Sequence, residues 1–575
     1  MSDIRYGVND TPSHGLSIAL GLQTVALIVT GIVLVPVIVL RAAGGSNELM
    51  TWAIFAALFV SGLTTVVQAR PVGPIGAGYL LFMGTSGAYL AVATSAVEMG
   101  GLALLATLVV ASSFMEFALA ARLSILRRII TPTVGGTVVM LIAVAVFDIC
   151  FKMLATVPEG FDPTSWAGPI TAFTTFLVVL VISLFSGPKL RLWAPLIGII
   201  TGCATAAGFG LMNLAPVAEA PWFGLPSAEW PGMDLSFDGK FWGLLPSFVV
   251  VTMIGAIETY GDGIAIQRVS SKTERPVDFR SVQGALNADG LGNLLSGLLG
   301  TLPNTTYSTS ISVVELTGVA ARRVGVYGGI ALVALAFFPK VSALLQAVPD
   351  PVSGAYVLIL IVLLFAHGLR LVTEGGLSYE NGLVVCLSFW LGMGFQNQMI
   401  FPDHLPPAVR TLVDNGMTSG GIIAILLTML VSLKNRSALS VQIQPSTKSL
   451  PVLHELVQKQ ATRLGWDVEA LHRLQLAAEE ALMFLVEKEA QVEGRGPMPI
   501  VVRCRAIDGL VELEFATGPG AANLEERLVD LAEDAARRPD DAGLHILHHV
   551  TNELHHVQFH DRSYLLLKLD SRPLG

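Results

Sequence analysis

The fold class this sequence predicts is an α-helical polytopic membrane protein, arranged as a seven-plus-seven inverted repeat with broken third and tenth spans, followed by a small α/β domain. Composition is the first reason. Hydrophobic residues make up 53% of the 575 and charged residues only 14%, against roughly 25% charged in ordinary soluble proteins. The second reason is order: from about Ser17 to Leu433, apolar runs of roughly 18 to 25 residues follow one another, each long enough to cross about 30 Å of hydrocarbon. The third is an internal duplication with opposite orientation, taken up below. From Asn435 onward charged residues return at soluble density, so residues 1–436 read as the membrane domain and 437–575 as one α/β domain outside the bilayer.

Candidate spans begin near residues 17, 51, 77, 99, 130, 171, 192, 242, 283, 306, 325, 352, 379 and 418, about fourteen in all. With the N-terminus inside, the loops assigned to the cytoplasm hold fifteen Lys and Arg, among them Arg70, Arg127, Arg128, Lys272, Arg275, Arg322 and Arg436. The opposite loops hold five: Arg41, Lys152, Lys240, Lys340 and Arg410. That bias predicts an inner (plasma) membrane protein with both termini cytoplasmic. The start, "MSDIRYGVNDTPSHG", has no basic stretch leading into a short apolar core, so no cleaved signal peptide is expected. The net charge of -9 comes largely from the acidic tail and excludes nucleic acid as an expected partner. Cys150, Cys203 and Cys386 fall in apolar segments and Cys504 in the tail, with no paired spacing, so neither disulfides nor a Cys-based metal site is expected.

Seven spans lie on each side of the long loop around "APVAEAPWFGLPSAEWPGM". Because seven is odd, the two halves would run in opposite directions. "TVGGTVVMLIAVAVF" from Thr133 can be laid on "PVSGAYVLILIVLLF" from Pro351, and "GTSGAYLAV" from Gly84 falls within a few residues on "STSISVVEL" from Ser308. The third and tenth spans therefore correspond, and both are short, hydroxyl-rich and preceded by Pro or Gly. Non-helical backbone at membrane depth is tolerated where it is buried in protein or lines a cavity, and paired interruptions of this kind point to a transporter's binding site. Half-helices starting there aim N–H groups and a positive dipole end at the ligand. The alternative is that these Ser and Thr residues only bond neighbouring helices as packing glue.

The eighth span, "LLPSFVVVTMIGAIETYGDGIAIQRVSS", places Glu258 and Asp262 one turn apart on one face. A charge at mid-bilayer costs about 3 kcal/mol, so both acids are expected to face the protein interior. Neighbouring carboxyls withdrawn from water are suited to proton exchange. The ninth span adds Asp289 in "GALNADGLGNLLSG", and the first span contributes Gln23 and Thr24 in "LGLQTVALIVTG". For each of these the plainer reading is a satisfied polar group holding helices together.

At "LGLQT", "ETYGDG", "NADGLGNLLSG" and "PNTTYSTSISVVELTGVAAR" the chain resembles the nucleobase-ascorbate transporters, also called nucleobase:cation symporters or uracil/xanthine permeases, over roughly residues 15 to 435. The resemblance implies a core domain carrying substrate and a gate domain that often dimerises. It implies Glu258 as the substrate-binding glutamate, with the third-span Thr85, Ser86, Gly87 and Ala88 and the tenth-span Thr309, Ser310 and Ser312 completing the site beside Gln23 and Thr24. Asp262, Asp289 and Asn304 would serve proton coupling. The family's tenth-span signature reads Gln-Asn-x-Gly or Glu-Asn-x-Gly, whereas this chain has Thr309, Ser310, Ile311 and Ser312. Where purine members carry a first-span histidine this chain has Thr24, and where the third span has an aromatic it has Gly87. One partner lost in a buried site costs about 1 to 3 kcal/mol, so the exact ligand stays open among uracil-like, xanthine-like and other small anionic molecules.

In the tail, two amphipathic helices are expected in "STKSLPVLHELVQKQATRLGWDVEALHRLQLAAEEALMFLVEKEA", then strands "PIVVRCRAI" and "LVELEFATG", a helix "DAGLHILHHVTNEL" and a last strand "SYLLLKLD". This order resembles the GHKL ATPase fold of anti-sigma-factor serine kinases. The motif Glu-Ala-x-x-Asn would supply a Mg-binding Asn, but Glu480 and Ala481 are followed by Met483 and Phe484. The motif Asp-x-Gly-x-Gly is replaced by Ala516, Thr517, Gly518, Pro519 and Gly520. An apolar Phe cannot hold Mg2+, which needs oxygen ligands, so a regulatory or dimerising relic is expected rather than an ATP-binding kinase. His545 and His549, one turn apart in a stretch that reaches His560, have metal-ligand spacing, yet no acidic or Cys ligands accompany them, and a solvated face is the reading favoured. No metal or cofactor is expected beyond a coupling proton.

These readings lead to a non-enzymatic, proton-coupled secondary transporter of a nucleobase or related small planar ligand, working by elevator-like alternating access. Two alternatives stand beside it: an anion carrier like the sulfate permeases on the same fold, and a membrane receptor that signals through its tail without transporting.

Overall fold

The computed structural model describes residues 4–122, 131–156, 162, 164–226, 229–271, 277–374, 378–404, 413, 415–434, 439–490, 498–507, 510–518, 524, 542–559 and 562–571. Arg127, Arg128, Lys272, Arg275, Arg410, Arg436, Pro519, Gly520, the His545 side chain and His560 lie outside the described residues. The chain divides into two compact units. The first is drawn from residues 1–120, 125–272 and 284–429, the second from 121–124, 273–283 and 430–575.

The first unit is helical because its segments are apolar and leave backbone groups no partner but their own helix. The chain starts with α1 (His14–Ala42) and α2 (Asn47–Ala69), entered through Ser13 and Ser46, whose hydroxyls accept from Leu16 N and Leu49 N. Strand β1 (Phe82–Thr85) leads through a single 3-10 turn at Gly87–Tyr89 into α3 (Leu90–Ala121). Gly100 and Gly101 leave helical geometry inside α3, Gly101 at φ 68°, so the third and fourth expected spans meet there. Next come α4 (Pro132–Ala145), α5 (Phe147–Ala155), α6 (Ala167–Phe185) and α7 (Ala194–Gly208).

The second half repeats the pattern with α8 (Gly239–Val269), α9 (Phe279–Leu298), strand β2 (Asn304–Tyr307) and α10 (Thr309–Thr317). It continues with α11 (Arg322–Ala336), α12 (Pro339–Gln346), α13 (Asp350–Glu374), α14 (Tyr379–Gln396) and α15 (Gly416–Lys434). Among the described residues seven segments are long and apolar enough to cross a membrane alone, and α11 with α12 forms an 82° bent pair that passes the same test together. The chain is a multi-pass membrane protein with an inverted-repeat fold.

The repeat is visible in its contacts. β1 pairs antiparallel with β2 in the register Phe82↔Tyr307, Met83↔Thr306, Gly84↔Thr305, Thr85↔Asn304, a ladder that maps onto itself when the strands are exchanged. This ladder satisfies the backbone groups that two broken helices leave inside the bilayer. Gly84 is required by close approach: an added Cβ would lie 2.4 Å from the Tyr307 ring. Away from the strands, α4 packs on α13 through Gly136 and Gly368, where a Cβ on Gly136 would sit 2.5 Å from the Gly368 carbonyl oxygen. In the register that lays Thr133 on Pro351, the equivalent pair is Gly354 and Cys150, and the Cys150 thiol donates to the Gly354 carbonyl at 3.5 Å.

The second unit carries a five-stranded antiparallel sheet in the order β3 (Leu439–Ile443), β4 (Ile500–Ile507), β5 (Leu510–Thr517), β7 (Ser563–Leu569), β6 (Glu553–Gln558). The helices α16 (Leu450–Leu464), α17 (Val468–Ala490) and α18 (Ala542–Val550) contribute Val457, Leu474, Leu482 and Leu547 to a core shared with Val502, Leu513, Phe515 and Leu567. Two strands depart from expectation. β3 lies ahead of the expected first helix, and the last two residues of the segment read as the final helix, Glu553 and Leu554, begin β6, because α18 stops at Val550 and Glu553–Gln558 alternates its side chains across the sheet edge.

Candidate functional site

Strands β1 and β2 sit between α1 and α8, and a cavity of about 460 Å³ opens where they hand over to their helices. Its wall takes Thr85, Ser86, Gly87 and Ala88 from the first crossing, Thr305 to Thr309 from the second, and Glu258 from α8. The start of the 3-10 turn before α3 and the N-terminus of α10 both border this space, which places two positive dipole ends beside it.

The acids differ in their surroundings. The Glu258 carboxylate lines the cavity and accepts no hydrogen bond from any described residue. One turn on, buried Asp262 accepts from Ser308 Oγ at 2.8 Å and from Thr306 Oγ1 at 3.5 Å. Ser308 precedes α10 and gives its hydroxyl to Asp262 instead of capping the helix. Asp289, fully buried on α9, accepts from Thr259 Oγ1 and, at 3.4 Å, from Thr305 Oγ1. Thr259 also lies 2.8 Å from Thr306, so hydroxyls join the two aspartates in one buried network behind the cavity. A third buried acid, Glu116 on α3, accepts from Asn293 Nδ2 at 2.5 Å, and Asn293 Oδ1 takes Asn304 N at 2.7 Å. Among the described residues no Lys or Arg forms an ion pair with any of these four acids.

Of the expected site residues, Thr85, Ser86, Gly87, Ala88, Glu258 and Thr309 meet at the cavity. The others stand elsewhere. Asp262 and Asp289 lie behind it. Asn304 donates to Ser61 Oγ at 2.9 Å, holding β2 to α2. Ser310 turns to accept Phe82 N at 2.8 Å, Thr24 donates to the Leu20 carbonyl within its own helix, and Gln23 and Ser312 are half-buried without lining the cavity. On α10 periodicity separates neighbours: Thr309 and Ser310 are about 100° apart, and with Thr309 at the ligand space Ser310 turns to β1. Sequence reasoning passed over Tyr307, Tyr356 and Arg191, which also line the cavity, and the hydroxyl partners Thr259, Thr306 and Ser308. Glu116 left a readable signal, a single acid in the apolar run "VVASSFMEFALAA".

A family model of the xanthine/uracil permeases, described as "Permease family", matches residues 15–400. The chain belongs to that permease family, the nucleobase-ascorbate transporters. This permease is 28% identical over 447 residues to the xanthine permease XanP of Escherichia coli, covering 75% of this chain and 95% of that one. It is 27% identical over 443 residues to the uric acid permease PucJ of Bacillus subtilis, covering 76% and 96%. In fold, the permease is similar to the murine anion transporter Slc26a9 in its inward-facing state, with a TM-score of 0.50 at 12% identity, over 76% of this chain and 71% of that one.

Proposed function

We propose that this permease is a proton-coupled symporter of a nucleobase, xanthine-like or uracil-like, in the inner membrane with both termini cytoplasmic. The observation that carries the reading is the contrast between Glu258 and the aspartates: Asp262 and Asp289 are occupied by protein hydroxyls, while Glu258 presents an unpartnered acceptor to the cavity. Ring N–H groups of a planar base are its natural partners, and charge-assisted bonds of this kind are the strong ones. The half-helix starts at Gly87 and Thr309 and the hydroxyls of Thr85, Ser86 and Thr309 take the remaining polar edges. Names of relatives, xanthine permease and uric acid permease, support the same class of cargo.

Asp262 and Asp289, linked through Thr306 and Thr259, would carry the coupling proton, with Asn304 fixing the strand between them. No further cofactor enters this reading. A carboxylate facing the cavity disfavours the anion-carrier reading on electrostatic grounds. For the tail, a degenerate nucleotide-binding fold that regulates the permease, pairs two copies or binds a cytoplasmic partner fits Phe484, which packs edge-on against His556 at 6.2 Å in the place of a Mg-binding residue. Proteoliposomes offered labelled xanthine, uracil, urate and sulfate side by side from outside test the proposal. Accumulation of a nucleobase driven by an inward proton gradient is expected. Uptake of sulfate alone, or nucleobase uptake indifferent to the gradient, overturns it.

A further inference from the structure

A second cavity, of about 590 Å³, is lined in part by the N-terminal residues 8–11 and shares no lining residue with the cavity at Glu258. Small-molecule sites commonly fall at roughly 300 to 1,000 Å³. Its walls bring together Arg70, which ends α2, and Arg322 and Arg323, which begin α11. Arg322 Nε is buried and has no hydrogen-bond partner among the described residues, and a buried donor left unmade is costly. Arg70 likewise forms no side-chain bond or ion pair there. Arg323 is partly occupied, by the Pro12 carbonyl at 3.1 Å and by His14, which also contacts the Tyr327 hydroxyl. One carboxylate shares the space: Asp10, which accepts Gly7 N at 2.7 Å. Three guanidiniums therefore face one acid. Val326 and Ile330 give the cavity an apolar lip, and Ile330 is 53% exposed on α11, an apolar helix that is long enough for a membrane span only together with α12.

The geometry points to a binding site for an anionic phospholipid, its phosphate held by Arg70 and Arg322 and its acyl chain running along Val326 and Ile330. Phosphate is the matching group because guanidiniums present paired donors in a plane and phosphodiester oxygens accept them in pairs. A lipid, rather than a free phosphate ion, is selected by the lip: a soluble anion has no use for an exposed isoleucine, whereas basic pockets between membrane helices that open to the acyl region hold acidic head groups. The site joins the ends of α2 and α11, which pack on each other through Gly62 and Gly329, so an occupant would bridge two helices that flank β1.

The test is native mass spectrometry of the intact permease, titrated with phosphatidylglycerol and phosphatidylcholine. Wild type is expected to retain phosphatidylglycerol in preference. R70Q/R322Q should lose that preference about tenfold or more, R70K/R322K, which keeps the charge but not the paired planar donors, should fall between the Gln pair and wild type, and K189Q, on a turn outside the cavity, should match wild type. Equal retention by the Gln pair and wild type overturns the proposal, as does equal loss in the Gln and Lys pairs, which would mark a packing role. A thermal-shift arm with delipidated protein and inorganic phosphate separates the sources: an Arg70/Arg322-dependent shift with phosphate but none with phosphatidylglycerol overturns the lipid as occupant.

Discussion

Glu258→Gln separates binding from folding more cleanly than any other change in this permease. Gln has the shape of Glu, and the Glu258 carboxylate accepts no hydrogen bond from described protein groups, so the substitution removes no intramolecular bond. What it removes is a charged acceptor facing the cavity. A hydrogen bond to a charged group contributes about 1.5 to 3 kcal/mol, which converts at 1.4 kcal/mol per tenfold to a loss of roughly 10- to 150-fold in affinity for a nucleobase. Asp289→Asn is the informative contrast: Asp289 is fully buried and accepts from Thr259 and Thr305, so the amide places an N–H group where a hydroxyl donates, at a cost of about 1 to 3 kcal/mol in stability. Equilibrium binding of labelled xanthine and uracil, with thermal midpoints of the purified proteins, gives both readouts. E258Q binding within twofold of wild type, or an E258Q midpoint depressed as far as that of D289N, would refute the assignment of Glu258 as the open acceptor.

Other outcomes follow from the same contacts. Thr259→Val keeps shape but cuts the hydroxyl link between Asp289 and Thr306; uptake driven by a proton gradient is expected to fall well below wild type while equilibrium substrate binding stays within about threefold. Gly136→Val puts a Cβ 2.5 Å from the Gly368 carbonyl, so the α4–α13 crossing should lose about 1 to 3 kcal/mol or more, read as a lower thermal midpoint; Gly187→Val, with open space around its Cβ, should not move it. Burial pushes the Cys504 thiol up to about 12, so a variant with Cys504 as its single cysteine should resist a maleimide at pH 8 until the tail is unfolded. In the tail, Lys568 donates to Glu553 and holds its carboxyl below the usual range; the stabilisation is present above the ordinary carboxylate pKa and lost as pH falls through the lowered value. Because both side chains are partly exposed, Lys568→Gln should lower stability at neutral pH by under about 1 kcal/mol and leave it unchanged at acid pH.

Much of the membrane unit was legible because bilayer physics writes it in long strokes. Apolar length gives helices, hydroxyl-rich stretches beside Pro and Gly give the two crossings, and the register that lays Thr133 on Pro351 relates the Gly136–Gly368 and Gly354–Cys150 contacts. Glu258, Asp262 and Asp289 stood out for the same reason, since an acid in an apolar run needs explaining; Glu116 carried the same signal and was passed over. What the sequence concealed was orientation within a turn. Thr309 and Ser310 look equivalent as letters, yet one lines the cavity and the other anchors Phe82 N. Likewise Thr259 and Ser308 are ordinary residues until strand and helix bring them to Asp289 and Asp262. In the tail, β3 and β6 were missed because each is short and lies at a sheet edge, where pairing with a distant strand, not local pattern, decides the structure.

The ladder between β1 and β2 is symmetric, but the acids are not: Glu258, Asp262 and Asp289 belong to the second half and Glu116 alone to the first, and α1 lines the cavity with Leu27, Ile28, Gly31 and Val35, none of them polar. At the cavity itself, a doubled scaffold thus takes its carboxylate, Glu258, from one half alone. A guest that is itself two-faced, with proton donors along one edge and little to offer on the other, can seat in one orientation only.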